Sequence, residues 1–381
     1  MSPRIRWNAV RATSALAAFA LLSGSVARAA GDKLIFAVAP GSKVLKRVNI
    51  SHELRIDNMG KVLDDSPFVS DNTGGWITST ITISYLDEFR RTTENRPLEF
   101  VRTIREARNE VKATVTRSSG ETQPESSGSR SPLRKQSVAF QWIEEERDWS
   151  RCYEKIEADE PWLAALRGEF ELLALLPAGE VEPGATWTID PVATRTVFAP
   201  GGNLQMTPTG GSLFGRLVEV GVGGDFADFY QPAGGSVEAV YRGRRDVPEG
   251  DGGATLSVGV VELTFNIVSH ADRADLYFRA MPAEERREFA RLEEVPVDYT
   301  FTGKGELLWD LARSRAHSLV VEGQEGFVSS VTKTRLDQRE EHRVSQQGYF
   351  SGPLKFEVRF SDGAALDAEP DVDSPKKSKR R

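Results

Sequence analysis

The feature that most constrains this chain is strict period-two alternation. Over 77–85 the odd positions are Ile77, Ser79, Ile81, Ile83 and Tyr85, and the even positions are Thr78, Thr80, Thr82 and Ser84. Successive side chains of a strand point to opposite faces. One mainly apolar face and one hydroxyl face therefore predict an antiparallel strand packed on one side and solvated on the other. A longer case follows, with Val297, Tyr299, Phe301, Leu307, Trp309 and Leu311 on one parity and Asp298, Thr300, Thr302, Lys304 and Glu306 on the other. Gly303 and Gly305 fall on the apolar parity and predict a bend, a bulge or a close approach by another backbone. A turn over 310–315, a return strand over 316–321 and a further strand over 327–335 make this stretch a meander. The expected fold class is mainly β, with large antiparallel sheets in a sandwich or half-open barrel and one or two short accessory helices.

Glycine doublets at 201–202, 210–211, 223–224, 234–235 and 252–253 punctuate the middle of the chain. None sits in a phosphate-cradling G-x-G-x-x-G or G-x-x-x-x-G-K pattern, so they are read as turns between strands. Two segments break the alternation. Asp159 is placed to cap a helix carrying Trp162, Leu163, Leu166, Phe170 and Leu173 on one face, ending at Pro177. A second short helix is predicted over 282–292, with Phe289 and Leu292 as its contacts. These signals divide the chain into an amino-terminal β half over 30–158, containing a flexible polar loop over 117–132, and a carboxy-terminal β half over 159–362 that begins with a helix. The tail over 363–381 is poor in apolar residues and runs acidic (Asp367, Glu369, Asp371, Asp373), then basic (Lys376, Lys377, Lys379, Arg380, Arg381). It is expected to be disordered, either simply solvated or making salt-sensitive contact with an anionic surface.

Arg4, Arg6 and Arg11 precede an apolar run over 15–22, and Ala27-Arg28-Ala29 supplies a small-x-small cleavage pattern. That order predicts a signal peptide over 1–29 and a mature chain that starts near Ala30. The run is shorter than the about 20 residues of a membrane-spanning helix, and no later stretch is long and apolar enough to be one. The cleavage region has no cysteine for a lipid anchor, and Arg4 and Arg6 are not adjacent as a twin-arginine signal requires. The protein is therefore expected outside the cytoplasm, in the periplasm or beyond. The net charge is −7 for the whole chain and −11 once the four arginines of 1–29 are removed. This balance argues against a nucleic-acid-binding body. Cys152 is the one cysteine, which excludes an internal disulfide and leads us to expect a buried, inert thiol.

Little in the chain announces chemistry. His52, His270, His317 and His342 are widely spaced, with no H-E-x-x-H pattern or close pair for zinc. His52 and His317 fall in predicted strands. There is no G-x-S-x-G elbow, and no order of residues singles out a triad. Glu144, Glu145, Glu146 and Asp148 lie between Trp142 and Trp149. Two carboxyls about 5–9.5 Å apart beside aromatic rings would suit glycoside hydrolysis. The competing reading is an acidic solvated turn whose tryptophans return to the core, since adjacent glutamates diverge. An EF-hand spacing for calcium is absent from this cluster. Asn49-Ile50-Ser51 matches a glycosylation sequon. No catalytic residue, cofactor or metal site is assigned.

The segment 175–187, Leu-Leu-Pro-Ala-Gly-Glu-Val-Glu-Pro-Gly-Ala-Thr-Trp, resembles one in uncharacterised, exported, β-rich bacterial envelope proteins, where a Leu-Pro turn precedes a Val-x-x-Gly-x-x-Trp strand. The stretch over 303–310 resembles a hairpin entry of similar proteins. The resemblance implies an antiparallel β architecture and an exported protein, and it transfers no activity. Independently of it, Pro183-Gly184 makes a turn and Trp187 starts a strand with a large buried side chain. The leading functional expectation is a non-enzymatic ligand-binding or structural module of the cell envelope, holding an apolar or lipid-like ligand or an envelope protein partner. A hydrolase of envelope polysaccharide with its site at 142–149 is the alternative, and a pure scaffold is the third reading.

Overall fold

A computed structural model describes residues 31–363, apart from 65, 67–68, 71–73, 117–118, 156–160, 165, 169–170, 205, 209–231, 250–253, 273, 275–288 and 338–339. The signal peptide predicted over 1–29 and the tail beyond 363 lie outside the described residues. So do the glycine doublets at 210–211, 223–224 and 252–253. The strands are β1 (Lys43–Leu63), β2 (Val69–Ser70), β3 (Gly74–Thr92), β4 (Pro97–Thr116), β5 (Thr122–Arg130), β6 (Ser137–Ile143), β7 (Asp148–Tyr153), β8 (Thr186–Ile189) and β9 (Thr207–Pro208). They continue as β10 (Pro232–Glu249), β11 (Ala254–Asp272), β12 (Phe289–Glu294), β13 (Pro296–Asp310), β14 (Arg315–Asp337) and β15 (Glu340–Asp362). All belong to one antiparallel sheet in the order β7-β6-β4-β3-β1-β15-β14-β13-β11-β10-β8, and it does not close on itself.

The expected mainly β class is thus realised as a single open sheet rather than two stacked ones. The first long strand pairs with the last, Val48 facing Val358. Strands on both sides of the expected boundary near residue 159 therefore share one ladder. Alternation sets the faces: β3 follows the predicted parity, with Ile77, Ser79, Ile81, Ile83, Tyr85, Asp87 and Phe89 all buried. The same inner face gathers Val48, Ile50 and Leu54 of β1, Leu354, Phe356 and Val358 of β15, and Tyr299, Phe301 and Trp309 of β13 into one apolar core. Outward positions carry charge, as in the ion pairs Lys355–Glu322 across β15 and β14 and Arg245–Glu306 across β10 and β13. Gly303 does meet a neighbouring backbone closely: it pairs with Gly323, and a Cβ on it would lie 2.7 Å from the Glu322 carbonyl oxygen.

Several expectations are corrected. The strands read as 316–321 and 327–335 are one continuous β14, because Gly323 and Gly326 stay paired on both sides. The doublet at 234–235 lies inside β10, where Gly235 at φ +112° accompanies a bulge rather than a hairpin turn. Gly201 and Gly202 do form a turn, both at φ +81°. The polar loop at 117–132 contains β5, hydrogen-bonded along β4 from Thr116/Thr122 to Arg108/Arg130. Backbone pairing needs no apolar side chain, so a Ser-rich segment can extend a sheet whose other face is wet. The helix predicted at 282–292 ends instead in β12; residues 282–288 lie outside the described residues. β14 runs past its pairing with β13, and β12 pairs with Thr332–Arg335 of that extension.

The helix predicted from 160 to 173 shrinks to one turn, α1 (Pro161–Ala164), with a short 3-10 turn at Leu173–Leu175. The physical reasons are local. The carbonyls of Arg167 and Gly168 accept hydrogen bonds from Arg102 instead of from helical amides. Gly168 packs so tightly on Trp149 that a Cβ there would sit 2.5 Å from the indole. Leu172 adopts a left-handed conformation at φ 58° that ends any helix. The segment from α1 through α2 (Arg195–Phe198) to Met206 crosses the inner face and buries Leu163, Leu166, Leu172, Leu175, Val197, Phe198 and Leu204 against it. Phe198 makes edge-on ring contacts with Phe265, Phe301 and Phe356, at centroid separations of 5.6, 5.8 and 5.5 Å, and so touches three strands at once.

Candidate functional site

Three inward positions that alternation would give to apolar residues carry charge: Lys46 on β1, Asp87 on β3 and Arg102 on β4, all essentially inaccessible. They meet because Lys46 and Asp87 lie two residues out of register on the same face of neighbouring strands, while Asp87 pairs directly with Arg102. Arg102 holds Asp87 through two donors, Nε to Oδ1 at 2.9 Å and Nη2 to Oδ2 at 2.8 Å. The Lys46 ammonium donates to Asp87 Oδ2 at 2.7 Å and to Glu171 of the crossing segment. Two cations and two carboxylates give a neutral tetrad. Burial alone would push Asp87 upward, but Arg102 and Lys46 outweigh it and hold its carboxyl below the ordinary range. Glu171 goes the other way: burial, aided by Asp87, raises it despite Lys46. The guanidinium of Arg102 also lies over the rings of Tyr85, Phe100 and Phe140 at 4.8, 5.1 and 5.4 Å.

Beside this tetrad, at the β6–β7 margin of the sheet, is a cavity of about 280 Å³. Trp142 and Trp149, directly opposite in the β6/β7 hairpin, form one wall with ring centroids 5.5 Å apart at 71°. Leu172, Leu173, Ala174 and Ala193 of the crossing segment form the other. Asn95, Arg96 and Pro97, at the turn into β4, close the outer side. Glu171 lines the cavity at the buried end, its carboxylate held from behind by Lys46. The Arg96 guanidinium carbon lies 4.2 Å from the centre of the Trp142 ring.

The acidic cluster read from the sequence is only partly brought here. Glu144, Glu145 and Glu146 are exposed on the turn between β6 and β7, and Asp148 is exposed at the start of β7. Glu144 accepts from the Trp142 indole N–H at 2.6 Å and Asp148 pairs with Arg151 at 2.9 Å. Glu171 is the carboxylate among the residues lining the cavity, and nothing near it in sequence marked it. Burial places Trp149 in the core and leaves Trp142 half-buried. The expectation for Cys152 is overturned: it is exposed on β7, because it sits on the outward parity of the sheet's last strand. Trp187, expected to carry a buried side chain, is half-buried on the marginal strand β8 and packs against the core, its indole donating to the Leu175 carbonyl at 3.2 Å.

The histidines are dispersed as their spacing implied. His270 is exposed with Asp298 at 2.7 Å, and His342 pairs with Asp64 at 2.7 Å. Burial lowers the pKa of His317, on β14. His52 is different. It is buried on the inner face of β1 and meets Glu325 of β14 at 2.7 Å, and Glu325 also accepts from the Tyr299 hydroxyl at 3.1 Å. The buried Ser79, opposite His52, donates to Asn109 at 3.0 Å. A band of polar groups therefore crosses the apolar face from β4 to β13. Among the described residues no group of three or more His, Cys, Asp or Glu side chains is arranged to hold a metal ion.

No family model matches the chain, and no curated protein matches it. Among solved structures it is similar to an outer membrane channel from Pseudomonas putida F1, with 8% identity over 86% of this chain and 98% of that one and a TM-score of 0.22. It is similar also to the outer membrane protein OprG from Pseudomonas aeruginosa, with 7% identity over 86% and 99% of the two chains and a TM-score of 0.21. The InvG secretin domain β-barrel from the Salmonella SPI-1 injectisome shows 11% identity over 88% of this chain and 66% of that one, with a TM-score of 0.14. These scores lie below the level at which two chains share a fold.

Proposed function

We propose that this chain is an exported cell-envelope protein that acts as a non-enzymatic ligand-binding module, its ligand seated in the cavity between Trp142, Trp149 and the crossing segment. The amino-terminal pattern over 1–29 supports export. The observation that carries the binding reading is the cavity itself: lined by two indoles, two leucines, two alanines and a proline, with Asn95, Arg96 and Glu171 as its other lining residues. Concave sites of this composition, with a few placed polar groups, are the usual form of small-molecule sites. The volume lies just under the about 300–1,000 Å³ that takes drug-sized ligands, so the ligand is compact.

The hydrolase reading has one observation in its favour, the raised carboxyl of Glu171 facing the tryptophans. It ranks second because hydrolysis of a glycoside calls for a pair of carboxyls across the substrate. Glu171 is engaged by Lys46, and Glu144 and Asp148 face solvent. Native mass spectrometry of the mature protein isolated from its own envelope fraction separates the readings. A reproducible added mass that is lost on denaturation is the expected result. A bare chain that instead releases reducing sugar from envelope polysaccharide, and stops doing so on Glu171→Gln, would favour the enzyme.

A further inference from the structure

We infer that the cavity at Trp142 and Trp149 selects a compact amphiphilic anion, bound with its apolar body inward and its charged group at Arg96. The inference rests on the binding reading above and adds the ligand's charge and orientation. Arg96 is exposed, and among the described residues no carboxylate pairs with it. Its guanidinium carbon lies 4.2 Å from the centre of the Trp142 ring. A guanidinium carries N–H donors in the fork geometry that matches a carboxylate or phosphate. The contact with Trp142 restrains the arginine, so little side-chain freedom remains to be lost when an anion arrives. Asn95 adds an amide beside it at the cavity mouth.

The opposite end repels an anion. Glu171 is 5% exposed and presents a carboxyl whose charge is matched by Lys46, not by a vacant cation. An anionic group pushed inward would meet that carboxyl and leave water without a partner, which is costly in a buried place. The walls between the two ends are Trp149, Leu172, Leu173, Ala174 and Ala193, suited to a ring or a short hydrocarbon chain. Polarity therefore sets one orientation. Glu144 on the exposed hairpin turn, which accepts from the indole edge of Trp142, Asp148 at the start of β7, which pairs with Arg151, and Glu94, two residues before Arg96 and paired with Lys33, are negative groups that Arg96 must outweigh.

The test uses the mature chain and three eight-carbon probes: octanoate, octyl phosphate and octanol, followed by tryptophan fluorescence and titration calorimetry. We expect either anion to bind at least tenfold more tightly than octanol, with the ratio of octanoate to octyl phosphate telling which headgroup is preferred. Arg96→Gln, a change at an exposed side chain, should bring the anions down to the level of the alcohol, and Arg96→Lys should restore only part of the difference. Equal affinity for octanol and the anions, or an unchanged preference in Arg96→Gln, overturns the inference. If none of the probes binds while the isolated protein still carries a mass adduct, the charge assignment fails and the binding reading stands. If there is neither adduct nor probe binding, both fail.

Discussion

Lys46 occupies an inward position of β1 that an aliphatic side chain would fill in an ordinary strand, and its ammonium is shared by Asp87 and Glu171. Removing one member of a buried ion network leaves an uncompensated charge, which costs about 3–5 kcal/mol. Lys46→Met should therefore lose stability of that order in urea unfolding, and pairing it with Glu171→Leu should recover much of the loss. A single mutant as stable as wild type would show that the tetrad is not buried as described. The pH dependence follows from Asp87. Its folded pKa lies below the ordinary 3.8, so its stabilising term is present above that value and is lost as pH falls through and below it. Glu171, raised in the fold, works in the opposite sense, so the Asp87 contribution is read as the gap in urea midpoint between wild type and Asp87→Asn, which should narrow as pH falls from about 5 to about 2.5; a gap that does not change with pH would contradict the assignment. Gly168→Ala forces a methyl against the Trp149 ring and should cost about 1–3 kcal/mol, read as a lowered Tm. None of these roles was legible in the sequence. A charged residue on an apolar parity is visible, but its partner arrives from 125 positions away in the case of Glu171.

At the scale of elements, alternation carried the reading well where one face is apolar, as in β3 and β13, and poorly where other forces decide. β5 has no apolar signature, so only its pairing with β4 defines it. Hydrogen exchange should find amides of β5 that face β4 protected well above those of an open loop; exchange at the unstructured rate along 122–130 would restore the loop reading. Of the predicted helical face, Leu163 and Leu166 are buried and Trp162 and Leu173 half-buried. What breaks the helix is tertiary: Arg102 claims two of its carbonyls, and Trp149 claims the space at Gly168. In the crossing segment that results Phe198 packs on three strands at once, and Phe198→Ala should cost about 3–5 kcal/mol in chemical unfolding. An effect under 1 kcal/mol would mean that the segment does not seat on β11, β13 and β15 as found.

The described residues form one open antiparallel sheet whose main apolar face is crossed by the segment from α1 to Met206. Outward positions of β1 include Arg47, Asn49, Glu53 and Arg55, which are exposed and paired in register with the equally polar Ser84, Thr82, Thr78 and the exposed Trp76 of β3. Toward the other margin the outward face is apolar as well, where Leu256, Val258 and Val260 of β11 form a smaller buried cluster with Val247 and Leu308. The mainly β class and the large antiparallel sheet were readable from parity alone, and the position of the cavity was half readable, from Trp142 and Trp149. Its other wall and its buried carboxyl come from a segment that the sequence presents as an ordinary helix. The most direct test of the account compares wild type with Ala193→Trp, in which an indole fills the cavity from the half-buried crossing segment, by native mass spectrometry of both proteins prepared from the same envelope fraction. The expected result is a ligand mass on the wild type that disappears on denaturation and is absent from the filled variant. An adduct carried equally by both proteins would place the ligand elsewhere and contradict it.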